Sequence, residues 1–435
     1  MRNIRVEDKK IMRIREAKGV DQKVLARAMR AHVEVVRQVE GGNAHYNNAQ
    51  LRHARKHLNL TNMPLTEFET ATFKRRLYIM YDLVKDRRFS EAKDMCREMA
   101  YVLELDACDD DLPQLHRLFE AYILIYANND LDAAIKKLEQ YKSKHYEPTA
   151  EHNYHYNFLM GAIHTRRVDY EASLSFYMRA QELINSVEEL TPEDIKRLHL
   201  GIASCYTYLG FPFKAITCLE KARGIHADRR ANVISIHFDN ELALNYIRVN
   251  ELEIAEKLLE YSLICASSIN DNFCIGLTLN NIGRLYKQRE NLEDAVNYFE
   301  RAADCFEKGS VPYVRAMYEA MHCWACLSKF AHAKRLLDKV KKLCNSEAYD
   351  VLYKALWHYI IVRSRMSIYN DESVEYLEAV ALPYFEKTHD YFIAIDYYKL
   401  LEKYYQKKND KKSLLMSEAI RRVYERCFFS ANKQG

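Results

Sequence analysis

Residues 279–302, LNNIGRLYKQRENLEDAVNYFERA, place two adjacent asparagines, Asn280 and Asn281, among small residues of helical spacing. The preceding helical stretch contains two more asparagines, Asn240 and Asn245. An asparagine amide donates and accepts hydrogen bonds at once, so asparagines on adjacent helices can hold the backbone of an extended peptide. A neighbouring arginine can bind a terminal carboxylate. For any single asparagine, the alternative is a solvated position on a helix surface.

Catalytic and metal-binding motifs are missing from the sequence, which contains no P-loop, dinucleotide fingerprint, H-E-x-x-H or nucleophile elbow. The C-x-x-C sequence Cys323-Trp324-Ala325-Cys326 falls on a predicted packing helix, so we expect buried thiols there. His152 and His155 lack convincing carboxylate or cysteine partners for a zinc site. The sequence therefore predicts a protein that is not an enzyme and needs neither a cofactor nor a metal.

A regular sequence repeat positions the asparagines. In each unit a small reference residue is followed by an amphipathic helix, and successive reference positions lie 42, 39, 42, 40, 40, 38, 40 and 40 apart. The reference positions are Ala92, Ala134, Ser173, Ala215, Ala255, Ala295, Ala333, Ser373 and Ser413. This regularity predicts a solenoid of nine helix pairs.

Packing residues recur around each reference position. Small residues stand twelve before it in the central units and seven after it, and an aromatic residue stands nine before it. The earlier small residues are Gly161, Ala203, Ala243 and Gly283, and the aromatic residues are Tyr206, Tyr246, Tyr286, Trp324 and Tyr404. The later small residues are Ala180, Ala222, Ser262 and Ala302. Asn280 and Asn281 do not recur throughout the array, which favours a binding role for them.

The N-terminal region predicts four short helices of a different kind. Gly19 ends the first helix, Asp21 caps the second, and a break at residues 30–32 precedes the third. The predicted inward residues are Ile11, Ile14, Val24, Leu25, Ala28, Val36, Val39, Leu51, Ala54 and Leu58. A tight break between the second and third helices is what a helix-turn-helix requires.

Composition supports both regions. Glycine (11) and proline (7) are scarce in 435 residues, which predicts an almost entirely helical chain. Residues 1–62 carry 14 Lys/Arg against 6 Asp/Glu, whereas the rest of the chain sums to −4. This asymmetry indicates a polyanionic partner at one end only. Eleven scattered cysteines and the lack of a long apolar run favour a cytoplasmic protein with reduced thiols that does not bind membranes.

The N-terminal residues resemble the Xre or Cro/C1-type helix-turn-helix through Lys10-Ile11, Ile14-Arg15, Lys18-Gly19, Gln22, Leu25-Ala26 and the run 36–42, VRQVEGG. Arg30 replaces the usual turn glycine, and His32 replaces the usual capping Ser/Thr. The resemblance implies contact with DNA by Gln22, His32, Glu34, Arg37 and Gln38. Arginine suits guanine and glutamine suits adenine, whereas Glu34 could accept from cytosine or simply be solvated. The alternative is an altered module that serves only as a protein-contact domain.

The repeats resemble the tetratricopeptide repeat, here with longer helices or loops in each unit. This resemblance implies that the first helix of each pair lines a concave groove for peptides or partner helices. The implied peptide-binding residues are Asn240, Asn245, Arg248, Asn280, Asn281, Arg284, Gln288, Tyr318 and His322.

The order of the two regions and the helix bearing Asn281-Ile282-Gly283 resemble the RRNPP family of quorum-sensing receptors, most closely its PlcR-like and NprR-like members. The expected fold is all-α, with a helix-turn-helix domain over 1–64 and a right-handed α-solenoid of about nine tetratricopeptide-like helix pairs over 65–435. The implied function is transcriptional regulation by a homodimer that binds a double-stranded DNA operator and a short signalling oligopeptide.

Two alternatives to that function remain open. In the Rap branch of the family, the array binds a response regulator and can promote its dephosphorylation. The other alternative is a tetratricopeptide scaffold whose groove takes the tail of a partner protein.

Overall fold

The structure, a computed structural model, describes residues 6–59, 67–105, 111–141, 148–223, 232–343, 350–364, 371–388 and 390–428. Within these ranges all regular secondary structure is helical, which confirms the expected all-α class. The chain divides into two compact units, Met1–Leu159 and Met160–Gly435. The predicted domain boundary at 64/65 lies outside the described residues and stays a prediction.

Four short helices form the N-terminal module. They are α1 (Val6–Ala17), α2 (Gln22–Ala28), α3 (Val33–Glu40) and α4 (Asn48–Leu58). Asp21 caps α2 by accepting a hydrogen bond from the Lys23 amide, as the sequence predicts. Asn47 caps α4 in a reciprocal capping box with Gln50. The caps therefore fix where the helices begin.

The turn between α2 and α3 retains a left-handed residue and a helix cap, although Arg30 and His32 are not the usual residues at these positions. Arg30 has φ +54°, the left-handed conformation for which glycine is usual. His32 caps α3, because its Nδ1 accepts from the Glu34 amide at 3.3 Å. Both substitutions in the family pattern are thus accommodated without loss of the turn.

The module core contains most of the predicted residues, with one error. Ile11, Ile14, Val36, Val39 and the α4 residues are buried together. The sequence predicts that Val24 faces inward, but its side chain is 46% exposed, and Ala28 is only half-buried. Ala26 and Met29 are buried instead. A seven-residue helix makes only about two turns, so its apolar spacing does not distinguish its two sides.

Helix pairs follow the module. The first helices in chain order are α5 (Glu67–Lys85), α6 (Phe89–Leu105), α7 (Asp111–Ile123), α8 (Leu131–Tyr141) and α9 (Ala150–Arg166). The next are α10 (Tyr170–Glu182), α11 (Pro192–Tyr208), α12 (Pro212–Arg223), α13 (Val233–Arg248), α14 (Leu252–Ser268), α15 (Asn272–Gln288) and α16 (Leu292–Asp304). The last are α17 (Val311–Cys326), α18 (Phe330–Leu343), α19 (Asp350–Ser364), α20 (Asp371–Tyr376), α21 (Leu382–Lys387), α22 (Tyr391–Lys407) and α23 (Lys412–Phe428).

Within the described ranges these helices form the nine predicted pairs. A π-helical segment, Leu377–Ala381, joins α20 to α21 into the second helix of the eighth pair. Each reference residue lies in the first turn of a second helix. Eight of the nine are buried, and Ser413 is half-buried. The period of the sequence is therefore the period of the fold.

Glycine is required where paired helices approach most closely. A Cβ atom at Gly283 would lie 2.7 Å from the ring of Phe299 on the second helix of the same pair. A Cβ atom at Gly161 would meet Tyr177 in the same way, also at 2.7 Å. These positions confirm the predicted close contacts, and they set α15 firmly against α16.

Candidate functional site

The candidate DNA-binding surface is the outer side of α3. Arg37 and Glu34 are 55% and 54% exposed and form a weak pair at 3.4 Å between Nη1 and Oε2. Gln38 is also exposed. Two exposed charges of this kind are held loosely, because each loses little by exchanging its partner for water. Arg37 and Gln38 are therefore available to a ligand.

Gln22, by contrast, belongs to a network inside the module. Its Nε2 donates to Oε2 of Glu40 at 2.6 Å, and Glu40 also accepts from Arg15 at 2.6 Å and 2.9 Å. The Glu40 side chain is only 7% exposed. This network ties α1, α2 and α3 together, so Gln22 has a structural role in addition to its predicted contact with DNA.

In the second unit, five side chains on three first helices form a hydrogen-bonded set that we call the amide ladder. Its members are Thr207 on α11, Asn240 and Asn245 on α13, and Thr278 and Asn281 on α15. All five are buried. The ladder crosses from one helix pair to the next, because each of its bonds joins residues about one repeat apart.

Each rung of the amide ladder is a direct bond between adjacent pairs. The Asn245 amide donates to Thr207 Oγ1 at 2.8 Å, and the Asn240 amide donates to Thr278 Oγ1 at 2.9 Å. Asn281 donates to Asn240 Oδ1 at 3.0 Å. In this conformation Asn240, Asn245 and Asn281 therefore bind adjacent helices, and a peptide would have to exchange those bonds.

Beside the amide ladder lies a charged cluster of five residues, Arg284, Lys287, Glu319, His322 and Asp396. Lys287 Nζ lies 3.0 Å from Glu319 Oε2 and 3.2 Å from Asp396 Oδ2. Arg284 Nε lies 3.7 Å from Glu319 Oε1. The Glu319 side chain is 12% exposed. The cluster joins α15, α17 and α22 through ion pairs.

The pKa values in the charged cluster follow from its pairing. Burial raises the pKa of Glu319, but Lys287 and Arg284 outweigh it and lower that pKa to about 2. Burial likewise opposes the charge on Lys287, but Glu319 and Asp396 raise its pKa well above the ordinary value. Both groups therefore remain charged near neutral pH.

Three buried polar atoms along these first helices have no hydrogen-bond partner among the described residues. They are Glu241 Oε1 on α13, Asn280 Oδ1 on α15 and His322 Nε2 on α17. Burial raises the pKa of Glu241. Unpartnered buried polar atoms are uncommon in folded proteins, because each costs the free energy of its lost hydration. Here they occur on three consecutive helix pairs.

The remaining predicted residues lie around this region. Arg248 donates to the Thr207 carbonyl. Tyr318 is buried, and its hydroxyl lies 3.0 Å from that of Tyr397. Gln288 donates to Asn250 Oδ1 at 3.4 Å near the surface. All nine predicted peptide-binding residues thus lie on α13, α15 and α17.

A helical chain can also contain membrane-spanning helices or side-chain groups that hold a metal ion. Among the described helices, none is both long and apolar enough to cross a membrane. Nor do the described residues contain a group of three or more His, Cys, Asp or Glu side chains placed to hold a metal ion.

Comparison with known proteins finds two similar regulators. No family model matches it. It is 20% identical to the transcriptional activator NprA of Geobacillus stearothermophilus, over 78% of this chain and 84% of that protein. It is 19% identical to the regulatory protein RapG of Bacillus subtilis (strain 168), over 63% of this chain and 76% of that protein. These similarities support the expected RRNPP family of peptide-responsive regulators.

A solved structure has a similar helical fold over most of the chain. The crystal structure of a Rap protein complexed with Competence and Sporulation Factor matches with a TM-score of 0.71 and 17% identity. The match covers 82% of this chain and 98% of that one. The expected family and the expected tetratricopeptide-like solenoid are both confirmed.

Several residues around the candidate site of this RRNPP chain were not predicted from sequence. Thr207 and Thr278 complete the amide ladder, and Lys287 and Asp396 complete the charged cluster. The threonines occur one repeat before Asn245 and one repeat after Asn240, and this pairing was a usable signal. Asp396 follows Lys287 by nearly three repeats, and no local pattern relates the two.

Proposed function

We propose that this RRNPP chain is a cytoplasmic transcriptional regulator that is switched by a short signalling oligopeptide. Its helix-turn-helix module would bind a double-stranded DNA operator through Gln22, His32, Glu34, Arg37 and Gln38. The peptide would bind along the first helices of the second unit, at the nine residues predicted from the repeats. The active form would be a homodimer.

The observation that carries the peptide site is the row of unpartnered buried atoms at Glu241, Asn280 and His322. The carboxylate and amide oxygens can accept hydrogen bonds from the N–H groups of an extended peptide. Consecutive units repeat at nearly constant spacing, which suits the repeating backbone of such a ligand. Among the nine predicted residues, Arg248 and Arg284 are the arginines that could bind a terminal carboxylate.

Peptide binding would act through the arrangement of helix pairs. A peptide shifts a conformational equilibrium only by its differential affinity for the two states. Two helix-turn-helix modules must meet major grooves separated by about 34 Å, or a multiple of it, for both to bind. Because the amide ladder couples α11, α13 and α15, exchange of its bonds for peptide bonds offers the differential contact that such a switch needs.

The peptide site is tested with Asn280→Ala and Asn240→Ala. The peptide is first identified by mass spectrometry of ligands that co-purify with the full chain, and is then titrated by calorimetry. Asn280 Oδ1 has no partner among the described residues, so Asn280→Ala should lower affinity about tenfold with little change in Tm. Asn240→Ala, which removes a bond of the amide ladder, should lower Tm as well as affinity. Unchanged affinity in Asn280→Ala would contradict the peptide site.

DNA binding is tested by selecting genomic fragments bound by the full chain, with and without the peptide. Arg37→Ala should weaken operator binding by about 1–3 kcal/mol without changing Tm. Arg97→Ala is the matched control, because Arg97 forms an exposed pair with Asp94 at the same helical spacing as Arg37 with Glu34. Loss of DNA binding in both variants, or no binding to any fragment, would contradict the proposal.

A Rap-like function is the second candidate, favoured by the similarity to RapG and by the Rap fold over 82% of the chain. In that case the protein would bind a response regulator and promote its dephosphorylation. Co-purification of a response regulator, together with faster loss of its phosphoryl group in the presence of the chain, would favour this function. Capture of a partner protein's tail instead of a short peptide would favour a scaffold.

A further inference from the structure

Cys326, in the last turn of α17, is surrounded by polar and charged side chains. The residue is half-buried, and its Sγ lies 3.9 Å from His322 Nδ1 and 3.6 Å from the Tyr359 hydroxyl. Arg363 donates to the carbonyl oxygens of Ala325 and Cys326, each at 3.0 Å. The sulfur therefore has an imidazole, a hydroxyl donor and a guanidinium around it at once.

His322 connects the sulfur to the charged cluster. Its side chain is 3% exposed, and Nε2 lies 3.8 Å from Asp396 Oδ2 without a hydrogen-bond partner among the described residues. The imidazole thus contacts the Cys326 sulfur through one ring nitrogen and approaches the Asp396 carboxylate through the other. A hydrogen bond from an imidazole to a cysteine sulfur favours the thiolate.

The charged and titratable groups around Cys326 together lower the pKa of its thiol. Burial raises the pKa of Cys326, but His322 and then Arg363 outweigh burial and lower it to about 7. Tyr359 donates toward the sulfur, and its own pKa is raised well above the ordinary value by burial and by Cys326. Lys287, Glu319 and Asp396 complete the surroundings. Cys323, the other half of the C-x-x-C sequence, is fully buried, and burial raises its pKa to about 12.

A second cysteine–histidine pair in the same unit has the opposite character. Cys218 is half-buried and lies 3.3 Å from His199 Nδ1. Its thiol also points to the His199 carbonyl oxygen, at 3.7 Å, which favours the protonated sulfur. Burial raises the pKa of Cys218 to about 12. A neighbouring histidine alone does not produce a thiolate, so the difference between the two cysteines lies in Tyr359 and Arg363, which accompany His322 at Cys326.

We propose that Cys326 is a modification site, a thiolate that reacts with hydroperoxides and other soft electrophiles. The thiolate sulfur would attack one oxygen of hydrogen peroxide, and the O–O bond would break. Cysteine would be oxidised to sulfenic acid, while the departing hydroxide would take up a proton from solvent and leave as water. This proposal does not depend on the proposed function, although His322 is shared with the predicted peptide site.

The test is the pH profile of alkylation of the native full chain. The chain is treated briefly with iodoacetamide between pH 5 and 9, and each cysteine is quantified by mass spectrometry. Cys326 should react with a midpoint near pH 7 and, at that pH, at least about tenfold faster than Cys218. Hydrogen peroxide followed by dimedone should label Cys326 and spare Cys218.

His322→Gln identifies the source of the reactivity. This variant should move the midpoint for Cys326 above about pH 8, the range of an ordinary thiol, while the profile of Cys218 stays unchanged. If His322→Gln fails to fold, the wild-type comparison of Cys326 with Cys218 decides alone. A Cys326 midpoint of about 8.5 or higher in the wild-type chain, or an unchanged midpoint in a folded His322→Gln variant, would overturn the proposal.

Discussion

The two predicted binding regions of this chain hold their polar side chains in opposite ways. On α3, Arg37 and Gln38 are exposed and loosely held. On α13 and α15, Asn240, Asn245 and Asn281 are buried and bonded to adjacent helices. The first surface can bind a ligand without rearrangement, whereas the second can bind one only by exchanging bonds that also hold the fold together. Stability and binding should therefore be separable in the module and coupled in the repeats.

The largest expected change in the free energy of unfolding comes from a substitution in the charged cluster. Lys287→Met would leave Glu319 and Asp396 facing each other without their shared cation, and should lower the free energy of unfolding by about 3 kcal/mol. Lys329→Met removes an exposed lysine paired with Glu293, and should cost less than about 1 kcal/mol. Urea denaturation of both variants checks this. Equal losses would mean that the cluster is not held as an interior ion network.

The amide ladder should give the next largest effect. Asn245→Ala would leave Thr207 without its amide donor in a fully buried position, and should lower the free energy of unfolding by about 1–3 kcal/mol. Gln38→Ala removes an exposed amide from α3 and should stay within about 0.5 kcal/mol. Thermal and urea unfolding of the pair measure the difference. A large loss in Gln38→Ala would refute the contrast between the two regions.

The carboxylate of Asp239 on α13 tests, through the pH dependence of stability, whether polar groups in the repeats are held in the interior. Burial raises the pKa of Asp239 from its ordinary 3.8 to about 6. The folded state therefore holds this proton more tightly than the unfolded chain, so ionisation of Asp239 lowers stability as pH rises from about 4 to 6. Asp239→Asn should raise the free energy of unfolding by about 1 kcal/mol at pH 7 and have little effect at pH 4. A gain that is equal at both pH values would show that the cause is packing rather than charge.

The smallest expected effect is in the helix-turn-helix. Arg30→Gly should raise the free energy of unfolding by about 0.5–1 kcal/mol, because glycine adopts the left-handed conformation at φ +54° without steric cost. Arg27→Gly, inside α2, should lower stability by about the same amount. Melting temperatures of the two variants give the comparison. A loss at both positions would mean that the Arg30 side chain contributes more than its backbone conformation costs.

Periodicity explains how much of the fold could be predicted from sequence. The alanines and serines of the repeat had to be small because paired helices meet there, and this constraint recurs in every unit. The helix caps were equally local, as Asp21 shows. Val24 was misplaced because α2 is too short for its apolar spacing to define one side.

The candidate site was predictable only where it follows the repeat. Asn240, Asn280 and Asn281 were predicted for the site because they depart from a recognised pattern at known positions. The buried bonds of Asn240 and Asn281 were not predicted, because a sequence shows that a residue lies on the first helix but not which side of that helix a neighbour covers. The ion pair between Lys287 and Asp396 joins α15 to α22, and only the three-dimensional packing of the intervening pairs creates it.

The amide ladder consists entirely of neutral groups, and this sets the conditions to which it responds. Salt screens interactions between charges over a distance of about 8–10 Å at physiological ionic strength, but it scarcely affects a buried hydrogen bond between an amide and a hydroxyl. None of Thr207, Asn240, Asn245, Thr278 and Asn281 titrates. The hydrogen bonds between these five side chains should thus change little as ionic strength varies, and should be exchanged when a ligand offers equivalent hydrogen bonds.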